Sequence, residues 1–149
     1  MTEFLLDVMC GGLAVPLRMC GHDTVYALDH DVERDDRLRR WAEETGRTLV
    51  TRDRALAEHT DGAILLEERD PDDQLEELRQ AGVSLEPDPE PSRCGRCNGP
   101  LSTVPPDTTV PEYAPSPAEV DLWRCMRCGQ LFWKGSHWRD VRERLDAPR

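Results

Sequence analysis

The chain has 149 residues, of which 30 are acidic and 19 basic, for a formal net charge of −11, with 38% hydrophobic residues. This length allows one domain, or one domain with a small appendage, and the apolar content still supports a core. No run of 18 apolar residues occurs, which excludes a transmembrane helix, and Glu3 and Asp7 in a start without a basic segment speak against an export signal.

Taken in chain order, Phe4-Leu5-Leu6 predicts a short strand ending in Asp7. A weak helix follows from Val8 to Cys20, interrupted by Gly11, Gly12 and Pro16. Gly21-His22-Asp23 turns the chain into a second strand, Thr24–Ala27. Residues 32–45 carry Leu38, Trp41 and Ala42 at helical spacing, and Gly46 ends that helix. Thr48–Thr51 is a third strand, Asp53–His59 a helix and Ala63–Leu66 a fourth strand. Pro71 opens a last helix whose first turn holds Asp72 and Asp73, with Leu75 and Leu78 facing the core and Gly82 closing it. This alternation predicts an α/β fold with a small parallel sheet over residues 1–86. Residues 87–92 read as a stiff, polar linker. Between the cysteine pairs described next, the proline density predicts an extended loop. Gln130–Trp133 then reads as a strand and Trp138–Leu145 as a terminal helix, giving a second unit over 93–149.

Six cysteines fall into two kinds. Cys10 and Cys20 are isolated in apolar sequence and read as small buried hydrophobes. Cys94, Cys97, Cys125 and Cys128 form two C-x2-C pairs, a spacing that folds four thiolates into a tetrahedron about a metal. Four thiolates leave no open position, so the site is structural: Zn²⁺, with a rubredoxin-type iron as the alternative. His137 is a further candidate ligand that four cysteines make unnecessary.

Charge is unevenly placed. Residues 1–86 hold 21 acids and 10 bases, and residues 87–149 hold nine of each. Around the cysteines the balance reverses, with Arg93, Arg96, Arg124, Arg127, Lys134, Arg139 and Arg142 lying among Trp123, Phe132, Trp133 and Trp138. Bases interleaved with aromatics grip phosphates and stack nucleobases. The competing reading is that the rings form the ribbon's small core and the arginines solubilise it. Arg93, Arg124, Arg127, Lys134 and His137 are the candidate RNA contacts, His137 having helix capping as its other reading.

A second chemical signal is carboxylates beyond strand ends, where parallel α/β sheets bind ligands. Asp7 follows the first strand and Asp53 the third. Asp35 and Asp36 begin the long helix, with little to choose between them. Glu67, Glu68 and Asp70 follow the fourth strand. Such oxygen ligands suit Mg²⁺ or Mn²⁺, while helix capping is the competing role for Asp53. No nucleophilic triad and no phosphate loop of Walker type occurs.

Phe4-Leu-Leu-Asp7-Val-Met9, Gly21-His-Asp23-Thr24, Gly46-Arg-Thr-Leu-Val-Thr51-Arg52-Asp53-Arg54 and Gln74-Leu75 stand in order before Ser92-Arg93-Cys94, Cys97-Asn98, Cys125, Cys128-Gly129 and Trp133-Lys-Gly135-Ser136-His137-Trp138. Together they resemble the Mut-seven C-terminal RNase domain family, a PIN-like nuclease fold followed by a zinc ribbon, over residues 4–145. The resemblance implies a metal-dependent ribonuclease. It carries the metal-binding acid role onto Asp7 and Asp53 and, less directly, onto Asp36. One stretch departs from the family: Gly11-Gly12-Leu-Ala-Val15-Pro16-Leu-Arg18 stands where Gly-Lys-Leu-Ala-Arg-Trp-Leu-Arg is usual. Restoring a base at Gly12 should raise activity if that position faces substrate.

The expected function is RNA phosphodiester hydrolysis with Mg²⁺ or Mn²⁺ on clustered aspartates and RNA held by the ribbon. The alternative is a non-catalytic RNA- or ribosome-binding module of the same fold, and self-association is a further expectation. A single Lys among 19 bases, with many acids, fits a cytoplasmic protein of a halophilic archaeon, and a GC-rich genome would give the same arginine bias. Loss of the ribbon metal is expected to unfold residues 93–138 and largely spare 1–86.

Overall fold

A computed structural model describes residues 2–146; Met1 and 147–149, the outer ends of the two expected units, lie outside the described residues. Strand β1 (Glu3–Leu6) is central in a four-stranded parallel sheet of order β2-β1-β3-β4, with β2 at Asp23–Tyr26, β3 at Thr48–Thr51 and β4 at Ile64–Leu65. Helices α1 (Ala14–Met19), α2 (Asp35–Thr45), α3 (Arg54–Glu58) and α4 (Pro71–Gln80) alternate with the strands. The two-residue period of a strand sorts the apolar side chains onto two faces. Phe4, Leu6 and Val50 pack with Leu13, Leu17, Leu75 and Leu78 on one face, and Leu5 and Leu49 with Leu38, Ala42 and Leu56 on the other.

The stretch expected as one weak helix over Val8–Cys20 divides in two. Asp7 caps a 3₁₀ segment, Val8–Leu13, in which Cys10 leaves helical geometry (φ −113°, ψ 17°), and α1 starts only after it. The glycines are there for close packing. A Cβ on Gly11 would lie 2.6 Å from the Tyr26 ring, and one on Gly12 2.7 Å from Cγ of Pro71. A side chain at exposed position 12 would thus first have to displace the Pro71 ring. Pro16 falls in the first turn of α1, where its missing N–H is not needed. The helix expected over 32–45 begins at Asp35, because a 3₁₀ turn (Ala27–His30) ends in left-handed Asp31 (φ 56°) just upstream. Gly46 (φ 74°) closes α2 by donating its amide to the Ala42 carbonyl.

The second unit contains a three-stranded antiparallel sheet of β5 (Leu101–Thr103), β6 (Trp123–Cys125) and β7 (Leu131–Phe132). The extended loop expected between the cysteine pairs is thus flanked by two paired strands, with Leu101 opposite Cys125 and Thr103 opposite Trp123. Helix α5 (Ser136–Asp146) turns back onto the first unit. Its Val141 and Leu145 enter the core beside Leu75 and Leu78, and Arg144 pairs with Asp72 at 2.7 Å. Among the described residues no helix is long and apolar enough to cross a membrane.

The two units are joined by polar contacts at the outer edge of β2. Asn98, 5% exposed, accepts the Thr24 amide at 2.9 Å and donates to the Asp23 carboxylate at 2.7 Å. Asp23 also meets Arg47 at 3.0 Å and Arg93 at 3.5 Å. Partial burial works to raise the Asp23 pKa, but the Asn98 amide and the two guanidiniums hold it below its usual value. Buried Arg18, the last basic position kept from the family pattern, spans the joint by donating to the Thr24 carbonyl at 3.0 Å and the Gly95 carbonyl at 2.9 Å. The 87–92 segment is held down as well, through the Asp88 amide on the Met19 carbonyl and Lys134 Nζ on the Pro89 carbonyl.

Candidate active site and metal centre

In the strand order β2-β1-β3-β4, the connections run one way from β1 and then cross to its other side, so the crevice beyond the carboxyl ends of β1 and β3 is the switch point of the sheet. Asp7 stands there, 8% exposed. Its Oδ1 accepts the Val8 amide and its Oδ2 the Thr51 hydroxyl, both at 2.7 Å. The same Thr51 oxygen accepts the Asp53 amide at 3.0 Å, so one hydroxyl ties the two aspartates to the end of β3. Asp53 caps α3 by accepting the Leu56 amide at 3.1 Å. The cap uses Asp53 Oδ1.

Asp35 and Asp36 open α2 and differ in their surroundings. Asp35 has a raised pKa, first through desolvation, then through the charge of Asp53 and a hydrogen bond to it, with smaller contributions from Asp7 and Asp36. Asp36 points the other way, into an exposed pair with Arg34 at 3.3 Å. At the start of α2, adjacent residues are separated by about 100° around the axis, and both Asp35 and Asp36 are exposed there. Asp7, Asp35 and Asp53 give a hard cation the oxygen ligands it prefers. Among the described residues, however, only the cysteines bring three or more ligand atoms within 4.8 Å of one another. Beyond β4, Glu67 pairs with Arg54, and the Glu77 carboxylate accepts the Glu67 and Glu68 amides at 2.8 and 2.9 Å.

Arg52 stands between Thr51 and Asp53 in the sequence. Its Nε is buried with no hydrogen-bond partner. Its charge, with those of Asp7 and Glu77, reaches the thiol of Cys10, which burial first and Asp7 second push up to about 12. Cys10 is therefore an inert core thiol, and so is Cys20, also pushed up to about 12 by burial.

The four ribbon cysteines converge as their spacing predicts. Cys94 and Cys128 Sγ lie 3.7 Å apart, Cys97 and Cys125 Sγ 3.5 Å, and all four within 4.8 Å. A tetrahedron with bonds of about 2.3 Å to zinc has edges of about 3.8 Å, so the donor set fits structural Zn²⁺. Each knuckle turns through a left-handed residue, Asn98 (φ 70°) in one and Gly129 (φ 80°) in the other. Burial raises the Cys125 thiol, but the amides of Cys128 and Arg127 aimed at its sulfur bring it down to about 6. Gly99 is needed beside the sulfurs, since a Cβ there would lie 2.8 Å from Cys125 Sγ.

The candidate RNA contacts separate by partner. Arg93 is committed to Asp23 and the Asn98 carbonyl, and Arg127 reaches the Cys97 carbonyl at 3.3 Å. Lys134 lies over the Trp138 ring, 5.1 Å from its centre. Arg124 and His137 make no hydrogen bond or ion pair within the described residues.

Fold and site together define a doubly wound α/β domain with acids at its switch point, joined to a four-cysteine metal-binding ribbon. The Mut7-C RNAse domain family model matches residues 2–145, nearly the whole chain, and the protein belongs to that family. Comparison with curated proteins and with solved structures finds no match.

Proposed function

We propose that the protein is a metal-dependent ribonuclease that hydrolyses RNA phosphodiester bonds beyond the ends of β1 and β3. What supports this reading is the family match over residues 2–145 together with Asp7, held at the switch point and tied to Asp53 through the Thr51 hydroxyl. Like charges are crowded there, at a cost that a divalent cation relieves. When bound, Mg²⁺ or Mn²⁺ supplies an activated water and neutralises phosphate charge. The chain's own part is positional. Thr51 and the Val8 amide fix both oxygens of Asp7, and the Leu56 amide fixes Asp53. Arg52 follows Thr51 directly and is proposed to add positive charge near the acids, its field reaching Cys10 together with that of Asp7. The ribbon's free bases, Arg124 and His137 among them, hold the strand. In a salt-rich cytoplasm, the −11 charge repels that strand only weakly.

The test is cleavage of single-stranded RNA across a series of salt concentrations, with and without Mg²⁺ or Mn²⁺. Asp7→Asn, Asp35→Asn and Asp53→Asn should each abolish cleavage, while Asp36→Asn should keep most of it. Arg52→Gln should lower turnover more than RNA affinity. Wild-type protein that binds RNA but never cuts it, with any metal or salt, would establish the non-catalytic RNA- or ribosome-binding reading instead.

A further inference from the structure

A cleft of about 420 Å³ lies between α1 and the ribbon, away from the carboxylates. Val15 and Met19 form one wall, Trp133 and Trp138 the other, and Arg96 and His137 stand among the lining residues. Its charge sets it apart from the rest of the molecule. Acids are one residue in five of this chain, so about three would be expected among sixteen lining residues, and the cleft has none. It does have three arginines and a histidine. Arg18 and Arg93 are spent on the joint between the units. Arg96 is exposed, with only a 3.4 Å contact to Gln130, and His137 has no hydrogen-bond partner among the described residues. The N-terminus of α5 opens here with no acid in its first turn, so its free amides add to the positive field.

The aromatic wall is rigid. Trp133 Nε1 would lie only 2.6 Å from a Cβ at position 135, so the indole is pressed against Gly135, and Tyr113 supports it at a ring separation of 6.3 Å. Neither indole N–H donates to a described residue, which leaves two more donors at the cleft.

We infer that this cleft is a nucleotide subsite, taking one unstacked base of a single-stranded RNA against the tryptophans and its phosphate on Arg96, His137 and the start of α5. The inference rests on the RNA reading above and adds a second point of grip remote from the acids. The volume is in the range of small-ligand sites. Aromatic rings beside free arginine donors are the chemistry that holds splayed bases, whose stacking contributes about 1–3 kcal/mol each. An acidic peptide would find the cations but would have no use for the two indole walls.

The experiment uses full-length, zinc-loaded protein and a short single-stranded RNA carrying 5-iodouridine. Crosslinks should map to Trp133, Trp138 or His137. Arg96→Glu should weaken binding at least tenfold, and Arg96→Gln less so, with a salt slope shallower by about 0.7. Trp133→Leu should weaken binding without changing that slope, at unaltered zinc content and melting temperature. Adenosine 5′-monophosphate should quench tryptophan fluorescence where inorganic phosphate does not. Gly135→Ala, which displaces Trp133 without touching a charge, should reproduce the Trp133→Leu loss. Asp7→Asn should still crosslink at the same tryptophans and His137, since its carboxylate is not among the cleft-lining residues. Crosslinks confined to other surfaces, or unchanged affinity in Arg96→Glu and Trp133→Leu, would overturn the subsite while leaving the ribonuclease reading intact. RNA that neither binds nor is cut would overturn both.

Discussion

Replacing Asp23 by Asn tests how the ribbon is held to the sheet. The carboxylate receives Asn98 at 2.7 Å, Arg47 at 3.0 Å and Arg93 at 3.5 Å, and its side chain is only 15% exposed. Hydrogen bonds to a charged group contribute about 1.5–3 kcal/mol each. Asn keeps the size and one acceptor, so it retains one neutral contact of about 1 kcal/mol. It loses the long Arg93 pairing, and its amide nitrogen has no acceptor on the Arg93 side. The expected loss is about 2–3 kcal/mol, or roughly 5–10 °C in melting temperature for a chain of this length. Guanidinium unfolding at saturating zinc should show the midpoint falling at constant slope. The Thr24 amide, held by Asn98, should exchange faster. A double-mutant cycle with Arg93→Gln should give a coupling of at least 0.5 kcal/mol. A loss below about 0.5 kcal/mol with Thr24 still protected would refute the idea that this cluster carries the joint.

Four further outcomes are expected. Purified protein should hold about one zinc per chain, and Cys125→Ser should lose it, as measured by elemental analysis; its melting curve should show residues 2–86 weakened as well, since Asn98 and α5 lose their seats. Leu145→Ala should cost about 2–4 kcal/mol, because the side chain is 2% exposed in the core beside α4; chemical denaturation measures it. Gly99→Ala should lower zinc affinity in a chelator competition, because its Cβ would crowd Cys125 Sγ. In buffer free of Mg²⁺ and Mn²⁺, Asp35→Asn should raise the melting temperature at neutral pH. The raised pKa of Asp35 means that its neutral form is favoured in the fold. Its unfavourable contribution is absent below its ordinary value of 3.8 and sets in as pH rises through the raised one, so the gain should disappear in acid.

The sheet was legible because each strand is an apolar run between turn residues, and because Gly46 and Pro71 mark helix ends by backbone chemistry alone. The cysteine site was legible because two C-x2-C spacings determine where four sulfurs meet. Strands β5 and β6 were not. Leu101–Thr103 and Trp123–Cys125 are too short to show a period, and what pairs them is the metal-site geometry linking distant residues. The different surroundings of Asp35 and Asp36 were not legible because they depend on the rotation of α2, set by Leu38 and Ala42 packing on the sheet. Arg52 escaped notice because its distinguishing mark, a buried nitrogen without a partner, exists only in three dimensions. The packing of Gly12 was hidden because its neighbour, Pro71, lies 59 residues away in sequence.

The return of α5 makes the ribbon an insertion within the nuclease fold rather than a tail on it. The chain leaves the α/β body near Pro89 and re-enters near Lys134, and the Lys134 ammonium sits 2.6 Å from the Pro89 carbonyl, so exit and entry are neighbours. Modules spliced in at adjacent points can lengthen, shorten or be exchanged without disturbing the register of the host sheet. A truncation after residue 86 is a different operation, since it removes Val141 and Leu145 from the host's own core. A minimal α/β body is therefore made by closing the gap between 89 and 134 with a short link. That version must also supply a new partner for the Thr24 amide, which Asn98 of the first knuckle now satisfies.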